Sequence, residues 1–218
     1  MESAFWHERW NKNEIGFHRQ EIHPYLRQFW PPPGISNDSR VFVPLCGKSR
    51  DMLWLSEQGH EVIGVELSPL AIDGFFKDNG LVANITQHGD FTVWQNGRIS
   101  LYCGDFFKLT VDDLRGVRAV FDRAALVALP PAMREDYVAH LQAILPKGVV
   151  TLLVNFDYPQ EQMKGPPFSV PESEIRERHA AFAEVTCLHS QDILAQEPRF
   201  VAKGLSRLRE QAFYLRYR

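Results

Sequence analysis

Four short stretches carry residues whose types and spacing suit chemistry. Pro44-Leu45-Cys46-Gly47-Lys48 reads as a tight turn whose glycine lets the backbone approach a ligand closely. Nineteen residues after Gly47 stands Glu66. An acid at that spacing accepts hydrogen bonds from both hydroxyls of a ribose, each charge-assisted and worth roughly 1.5 to 3 kcal/mol. Asp105 follows Leu101-Tyr102-Cys103-Gly104, and Asp122-Arg123 follows Ala119-Val120-Phe121. An acid at the first of these ends faces an adenine edge, and charges at the second lie near reacting groups. Each stretch also has a plain alternative: a ligand-free turn, a carboxylate near a helix cap, or a solvated ion pair that contributes little.

The turn excludes some ligands. Gly47-Lys48-Ser49 lacks the glycine five residues before Gly47 that a P-loop needs, and no GxGxxG follows the first strand. A dinucleotide carries a pyrophosphate that draws on several backbone amides at a helix N-terminus, hence its three spaced glycines. S-adenosylmethionine has no phosphate, so one turn glycine suffices. Methyl transfer is therefore expected ahead of hydride transfer by an NAD-dependent oxidoreductase. A non-catalytic module that binds S-adenosylmethionine is the rival from another class. Metal chemistry has little to build on: Cys46, Cys103 and Cys187 are far apart, form no CxxC and read as buried thiols, and the eight histidines form no HExxH.

Composition narrows the partners. The net charge of -3 arises from nearly balanced acids and bases, without a basic run to neutralise phosphates or lipid headgroups. Neither nucleic acid nor a membrane is expected. Glu2 and Ser3 follow Met1 without an apolar signal core, and the longest apolar run, 149–154, is too short to span a bilayer. A cytoplasmic protein is expected, and a monomer, because no apolar helix face is left over.

The elements that must position these residues follow from the pattern. Residues 1–30 mix aromatics with charges and read as one or two amphipathic helices, broken near Gly16, with a linker over 31–39. From Arg40 strands and helices alternate. Strands are expected at 41–43, 60–66, 91–95, 98–103, 117–122 and 149–154, with Asn96-Gly97 as a hairpin turn. Ser68 and Pro69 start a helix that ends near Gly80. Another follows Pro130-Pro131 with Tyr137, Leu141, Ile144 and Leu145 on one face. A charged helix over 172–179 precedes strands at 182–188 and 212–217, the last closing antiparallel. Strands that are apolar throughout argue for a parallel sheet covered on both faces. One domain over 1–218 is expected: a helical lid and linker over 1–39 and an α/β core over 40–218.

At these residues the chain resembles the thiopurine S-methyltransferase family of class I S-adenosylmethionine-dependent methyltransferases. The resemblance rests on WNKNEIGFH (10–18), VPLCGK (43–48), GHEVIGVELS (59–68), ISLYC (99–103), FDRAALVAL (121–129) and GPPFSVP (165–171). It implies a doubly wound, mostly parallel, seven-stranded Rossmann-like sheet with an antiparallel C-terminal strand and an N-terminal helical lid. It also implies that Trp10, Leu45, Gly47, Glu66 and Arg123 contact S-adenosylmethionine, with Asp105 and Phe106 near its adenine. Phe17 would form an aromatic wall for the substrate, and Arg123 and Arg199 would be the catalytic pair beside the acceptor. The implied acceptor is a small aromatic or heterocyclic thiol, or a selenium or tellurium species, with S-adenosylhomocysteine as the other product and no metal. The segment around Arg199 departs from animal members of the family.

Overall fold

The computed structural model describes residues 3–16 and 18–218, and Phe17 lies outside the described residues. In chain order the elements are α1 (Ser3–Asn11), α2 (Pro24–Phe29), β1 (Arg40–Val43), α3 (Asp51–Glu57), β2 (Glu61–Glu66), α4 (Pro69–Asp78), β3 (Asn84–His88), β4 (Phe91–Asn96) and β5 (Ile99–Cys103). They continue with β6 (Val117–Arg123), α5 (Ala125–Ala128), α6 (Pro131–Ile144), β7 (Val150–Asp157), α7 (Glu172–His179), β8 (Ala183–Asp192), α8 (Pro198–Val201) and β9 (Arg209–Tyr217). Among the described residues the strands form one nine-stranded sheet in the order β3-β4-β5-β2-β1-β6-β7-β9-β8.

The sheet has nine strands rather than the seven implied by the resemblance: β4 was expected at 91–95, and β3 adds a further antiparallel strand beyond it at the edge. β3 was not foreseen because Asn84-Ile85-Thr86-Gln87-His88 is exposed at every position and carries no apolar period; the ladder to β4 alone places it. The parallel character is confined to the centre, β5 through β7, and β9 runs antiparallel to both its neighbours. The hairpin turn sits one residue later than expected. Asn96 pairs with Ile99, so the loop is Gly97-Arg98. Gly97 alone takes positive φ (54°) there, the pattern of a type II′ turn, which requires glycine first.

Alternate side chains of each central strand point into two cores. On β1, Val41 and Val43 face a cluster with Leu26, Met52, Leu55, Ile72 and Phe75 from α2, α3 and α4. Phe42 faces the other, with Val138, Leu141, Ile144 and Ile175 from α6 and α7. Each large side chain so buried stabilises the fold by roughly 1.5 to 3 kcal/mol. The sheet is thus wound on both faces, and strand order reverses between β1 and β6.

The N-terminal 39 residues do not behave as one cover. Leu26 of α2 is fully buried, and the Trp30 indole donates to His60 Nε2 at 2.9 Å while His60 Nδ1 donates to the Ser39 carbonyl at 3.0 Å. α2 is therefore core. α1, nine residues long, is too short to be stable by itself and depends on what it packs against. Of the three cysteines only Cys46 is buried; Cys103 is partly exposed at the end of β5, and Cys187 midway along the edge strand β8, where its register shifts.

Asp122 did not turn out to be a cavity charge. Its side chain turns into the α6 core, where Tyr137 donates to Oδ2 at 2.7 Å and Oδ1 has no hydrogen-bond partner. Burial, only partly offset by the Tyr137 bond and the nearby Ala125 N–H, pushes its carboxyl up to about 6. A folded pKa above the unfolded 3.8 means that the native state holds a proton the unfolded chain has released, so stability falls as pH rises from about 4 to about 6. Asp122→Asn is expected to remove this dependence. Urea unfolding at pH 4 and pH 7 should show wild type losing about 2 to 3 kcal/mol more than the variant across that interval; parallel losses would contradict it.

Candidate functional site

The two turns that flank the strand-order reversal are pinned together by one carboxylate. Glu66, at the end of β2, is buried; its Oε2 accepts the Gly47 N–H at 2.9 Å and its Oε1 the Ser68 N–H at 2.8 Å. Burial raises its pKa, and the backbone bonds from Ser68, Gly47 and Leu67 counter that rise. Ser68 occupies the N-cap position of α4 as expected, yet its hydroxyl caps nothing and Glu66 serves the backbone in its place. Three backbone N–H groups leave the carboxylate, with about four lone-pair sites, room for a further donor. Leu45 (φ 44°) and Gly47 (φ 53°) both hold the left-handed conformation in the turn after β1. A Cβ on Gly47 would come within 3.3 Å of the Trp10 ring, which places the α1 indole on that turn.

A cavity of about 500 Å³ opens beyond these strand ends, a size that suits a drug-sized ligand. Trp10, Leu45, Gly47, Glu66, Asp105, Phe106, Arg123 and Arg199 all line it. The sequence placed these residues on six separate segments, and the fold gathers them at one end of the sheet. Asp105 starts a short 3₁₀ turn by accepting the Phe107 N–H at 3.0 Å, and Phe106 is buried against Tyr137 with ring centroids 4.9 Å apart. Phe17, the expected aromatic wall, cannot be placed because it lies outside the described residues.

The opposite end of the cavity is a ring of matched charges. Arg123 is half-buried; desolvation of its guanidinium depresses its pKa, while the Asp51 and Glu210 carboxylates favour its charge and Arg19 and Arg199 oppose it. An arginine remains protonated regardless. Arg199 donates to Glu197 at 3.2 Å and to the Gly16 carbonyl; Arg19 bonds Glu197 at 2.9 Å. His23 ties this cluster to the core: its N–H donates to Asp51 at 2.8 Å, its Nδ1 accepts the Tyr25 N–H at 3.2 Å, and Nε2 meets Glu210 at 3.1 Å. With Nδ1 accepting, the ring proton sits on Nε2 and is given to Glu210. Burial alone would raise the Glu210 carboxyl; the His23 bond, together with the charges of Arg19 and Arg123, holds it below the usual range.

Several lining residues were not singled out in advance. Glu210 opens a strand that is otherwise almost wholly buried, and a charge in such a strand was the available signal. His18 and the Pro166-Pro167 loop lie inside recognised segments without an assigned role. That loop is anchored by Tyr158, whose hydroxyl donates to the Pro167 carbonyl at 2.6 Å, and by the Phe168 N–H bonded to the Val127 carbonyl at 2.6 Å. Among the described residues no three His, Cys, Asp or Glu side chains are grouped so as to hold a metal ion.

The sequence profile of a family described as Thiopurine S-methyltransferase (TPMT) matches residues 1–218. The chain belongs to that family. A thiopurine S-methyltransferase of Pseudomonas fluorescens (strain Pf0-1) is 48% identical over 216 residues, covering 99% of both chains. One from Nitrosospira multiformis is 49% identical over 215 residues, covering 99% of this chain and 98% of its own. Among solved structures, a S-adenosylmethionine-dependent methyltransferase from Anabaena variabilis superposes with TM-score 0.64 at 13% identity, covering 99% of this chain and 95% of its own. A Burkholderia thailandensis N1-methyltransferase with bound 1,6-didemethyltoxoflavin and S-adenosylhomocysteine gives 0.62 at 18%, covering 99% and 86%. The methyltransferase fold is shared by all of them. The activity of the chain is S-adenosylmethionine-dependent methylation, and the oxidoreductase alternative is disfavoured.

The residues present suit that cofactor. Glu66 retains acceptor capacity toward the cavity, the turn at Gly47 offers no phosphate cradle, and the Trp10 ring rests on that turn. Glu66→Gln would set an amide N–H against a backbone N–H and remove the charge. Calorimetric titration with S-adenosylhomocysteine should show at least a roughly tenfold loss of affinity, the equivalent of one charge-assisted hydrogen bond; unchanged affinity in a folded variant would remove Glu66 from the site.

Proposed function

We propose that the protein transfers a methyl group to the sulfur of small aromatic or heterocyclic thiols, with Trp10, Leu45, Gly47, Glu66, Asp105, Phe106 and Arg123 holding the cofactor and Arg123 and Arg199 acting on the acceptor. The observation that carries this reading is that Arg123 and Arg199 line the same cavity as Glu66, beside apolar walls from Phe156, Phe200 and Pro166-Pro167. Two guanidinium groups and flat apolar sides suit a planar, anionic nucleophile. The names of the relatives point the same way.

The bound cofactor supplies an activated methyl group on a sulfonium whose departure needs no proton. What remains for the chain is to bind, orient and dry the reactants, effects that reach several kcal/mol when reacting atoms are held in line. An ordinary thiol has a pKa of about 8.5, and a neighbouring cation favours its anion. Arg123 and Arg199 supply that cation. Glu197 bonds both Arg199 and Arg19, while Asp51 and Glu210, each bonded to His23, favour the Arg123 charge. The Trp10 ring near the sulfonium would add about 0.5 to 2 kcal/mol of cation-π attraction. We read the chain as one methyltransferase domain with α1 as lid, monomeric and cytoplasmic, with neither nucleic acid nor a membrane as partner and with no metal. The near balance of acids and bases supports this, and no helix among the described residues is long and apolar enough to cross a membrane.

A panel of aromatic thiols, heterocyclic thiols and a selenol, assayed for methyl transfer, tests the acceptor class; turnover confined to nitrogen or oxygen nucleophiles would refute it. Arg123→Met should reduce kcat/KM by roughly tenfold or more at pH 6.5 and by less at pH 9, because a cation shifts a thiol by about one to three pKa units. A loss equal at both pH values would take Arg123 out of acceptor ionisation.

A further inference from the structure

A thiol must lose its proton before or as its sulfur attacks, and the arginines cannot receive it, since guanidinium has no acceptor site. The other titratable groups that line the cavity are mostly engaged. Glu210 and Asp51 are bonded to His23, Glu14 is paired with Arg9 at 2.9 Å, and Asp105 caps its turn. Glu66 holds the two backbone turns, Tyr137 donates to Asp122, and Lys48 is paired with Asp78 at 2.8 Å. His18 differs. Its imidazole lines the cavity, is half-buried, and has no hydrogen bond at either ring nitrogen among the described residues, while its own N–H is fixed to the Ile15 carbonyl at 2.8 Å. Two residues earlier, the Gly16 carbonyl accepts from Arg199, so the segment that carries His18 is tethered to the acceptor end of the cavity.

We propose that His18 is the catalytic base that takes the proton from the bound thiol. The step is balanced within the reaction already assigned. The S–H proton passes to the neutral ring nitrogen, the sulfur lone pair forms the new S–CH₃ bond, and the bond from methyl to sulfonium breaks with its electrons leaving on the donor sulfur. The imidazolium then returns the proton to solvent. The surroundings favour a neutral ring awaiting a proton: burial lowers the His18 pKa, Lys48, Arg123 and Arg50 lower it further, and Asp78 acts in the opposite sense. With its pKa held below the ordinary histidine value, the ring is neutral at pH 7 and free to accept a proton. The cations that disfavour imidazolium also help to expel the proton once the sulfur has been methylated.

This inference rests on the thiol acceptor proposed above, and the experiment separates the two. Wild type and His18→Gln are assayed with aromatic thiols of graded acidity. The variant should lose about a hundredfold in kcat/KM on thiols of pKa near 8.5, where general-base catalysis contributes, and under about threefold on thiols already ionised in solution. Two readouts do not depend on turnover. With S-adenosylhomocysteine present, thiolate absorbance should show the bound thiol ionising about one pKa unit or more lower in wild type than in His18→Gln, as expected for an ion pair with imidazolium. In wild type labelled with ¹³C-histidine, the His18 ring signal should move to its protonated position when the thiol binds. An equal loss on every thiol, or a ring signal that stays neutral, would overturn the role of His18. Failure of wild type to methylate any thiol would instead overturn the acceptor class, and this role with it.

Discussion

The site depends on one buried carboxylate. Glu66 ends a strand whose other buried residues are all apolar, and desolvation penalises its charge. The two backbone N–H groups that offset the penalty belong to the turn after β1 and to the start of α4, so satisfying the charge fixes both turns relative to each other. The left-handed conformations at Leu45 and Gly47, the seat of Trp10 on Gly47, and the way into the cavity all follow from where that turn is held. A hydrophobic residue in place of Glu66 would avoid the desolvation cost and lose the geometry.

The far end of the cavity solves a related problem with opposite sign. Three arginines face one another, which would be repulsive if Asp51, Glu197 and Glu210 did not alternate with them. His23 links two of those carboxylates and roots them in the α2 segment, itself locked to the core through Trp30 and His60. The rigid part of the N-terminal segment therefore sets the charge pattern, and the loosely packed α1 only covers it.

Much of this was legible in the sequence where one local rule dominated. Apolar runs gave the central strands, Pro131 and Pro69 marked helix starts, and the spacing from Gly47 to Glu66 anticipated two groups that prove to be bonded directly. Elements set by partners rather than by pattern were missed. β3 has no apolar period and exists through its ladder to β4. Asp122 reads like its neighbour Arg123, yet strand alternation turns it into the α6 core while Arg123 faces the cavity. Glu210 lies 187 residues from its partner His23, a pairing that no window of sequence contains.

The reversal of β9 has a consequence for how such an enzyme can change its diet. In a wholly parallel sheet every residue at the working edge comes from a strand's end. Because β9 runs the other way, its first residues, Arg209 and Glu210, arrive at that edge beside Asp157 and Phe156. The stretch leading into it, from Ile193 to Leu208, is packed as a small satellite core around Phe200 and Leu208 and carries Arg199 into the cavity. On the proposed roles, Gly47 and Glu66 come from the N-terminal strands and Arg199 from this C-terminal stretch, with Arg123 of β6 serving both. On that reading, exchanges in the satellite core would redraw the acceptor wall while β1, β2 and their turns keep the methyl donor.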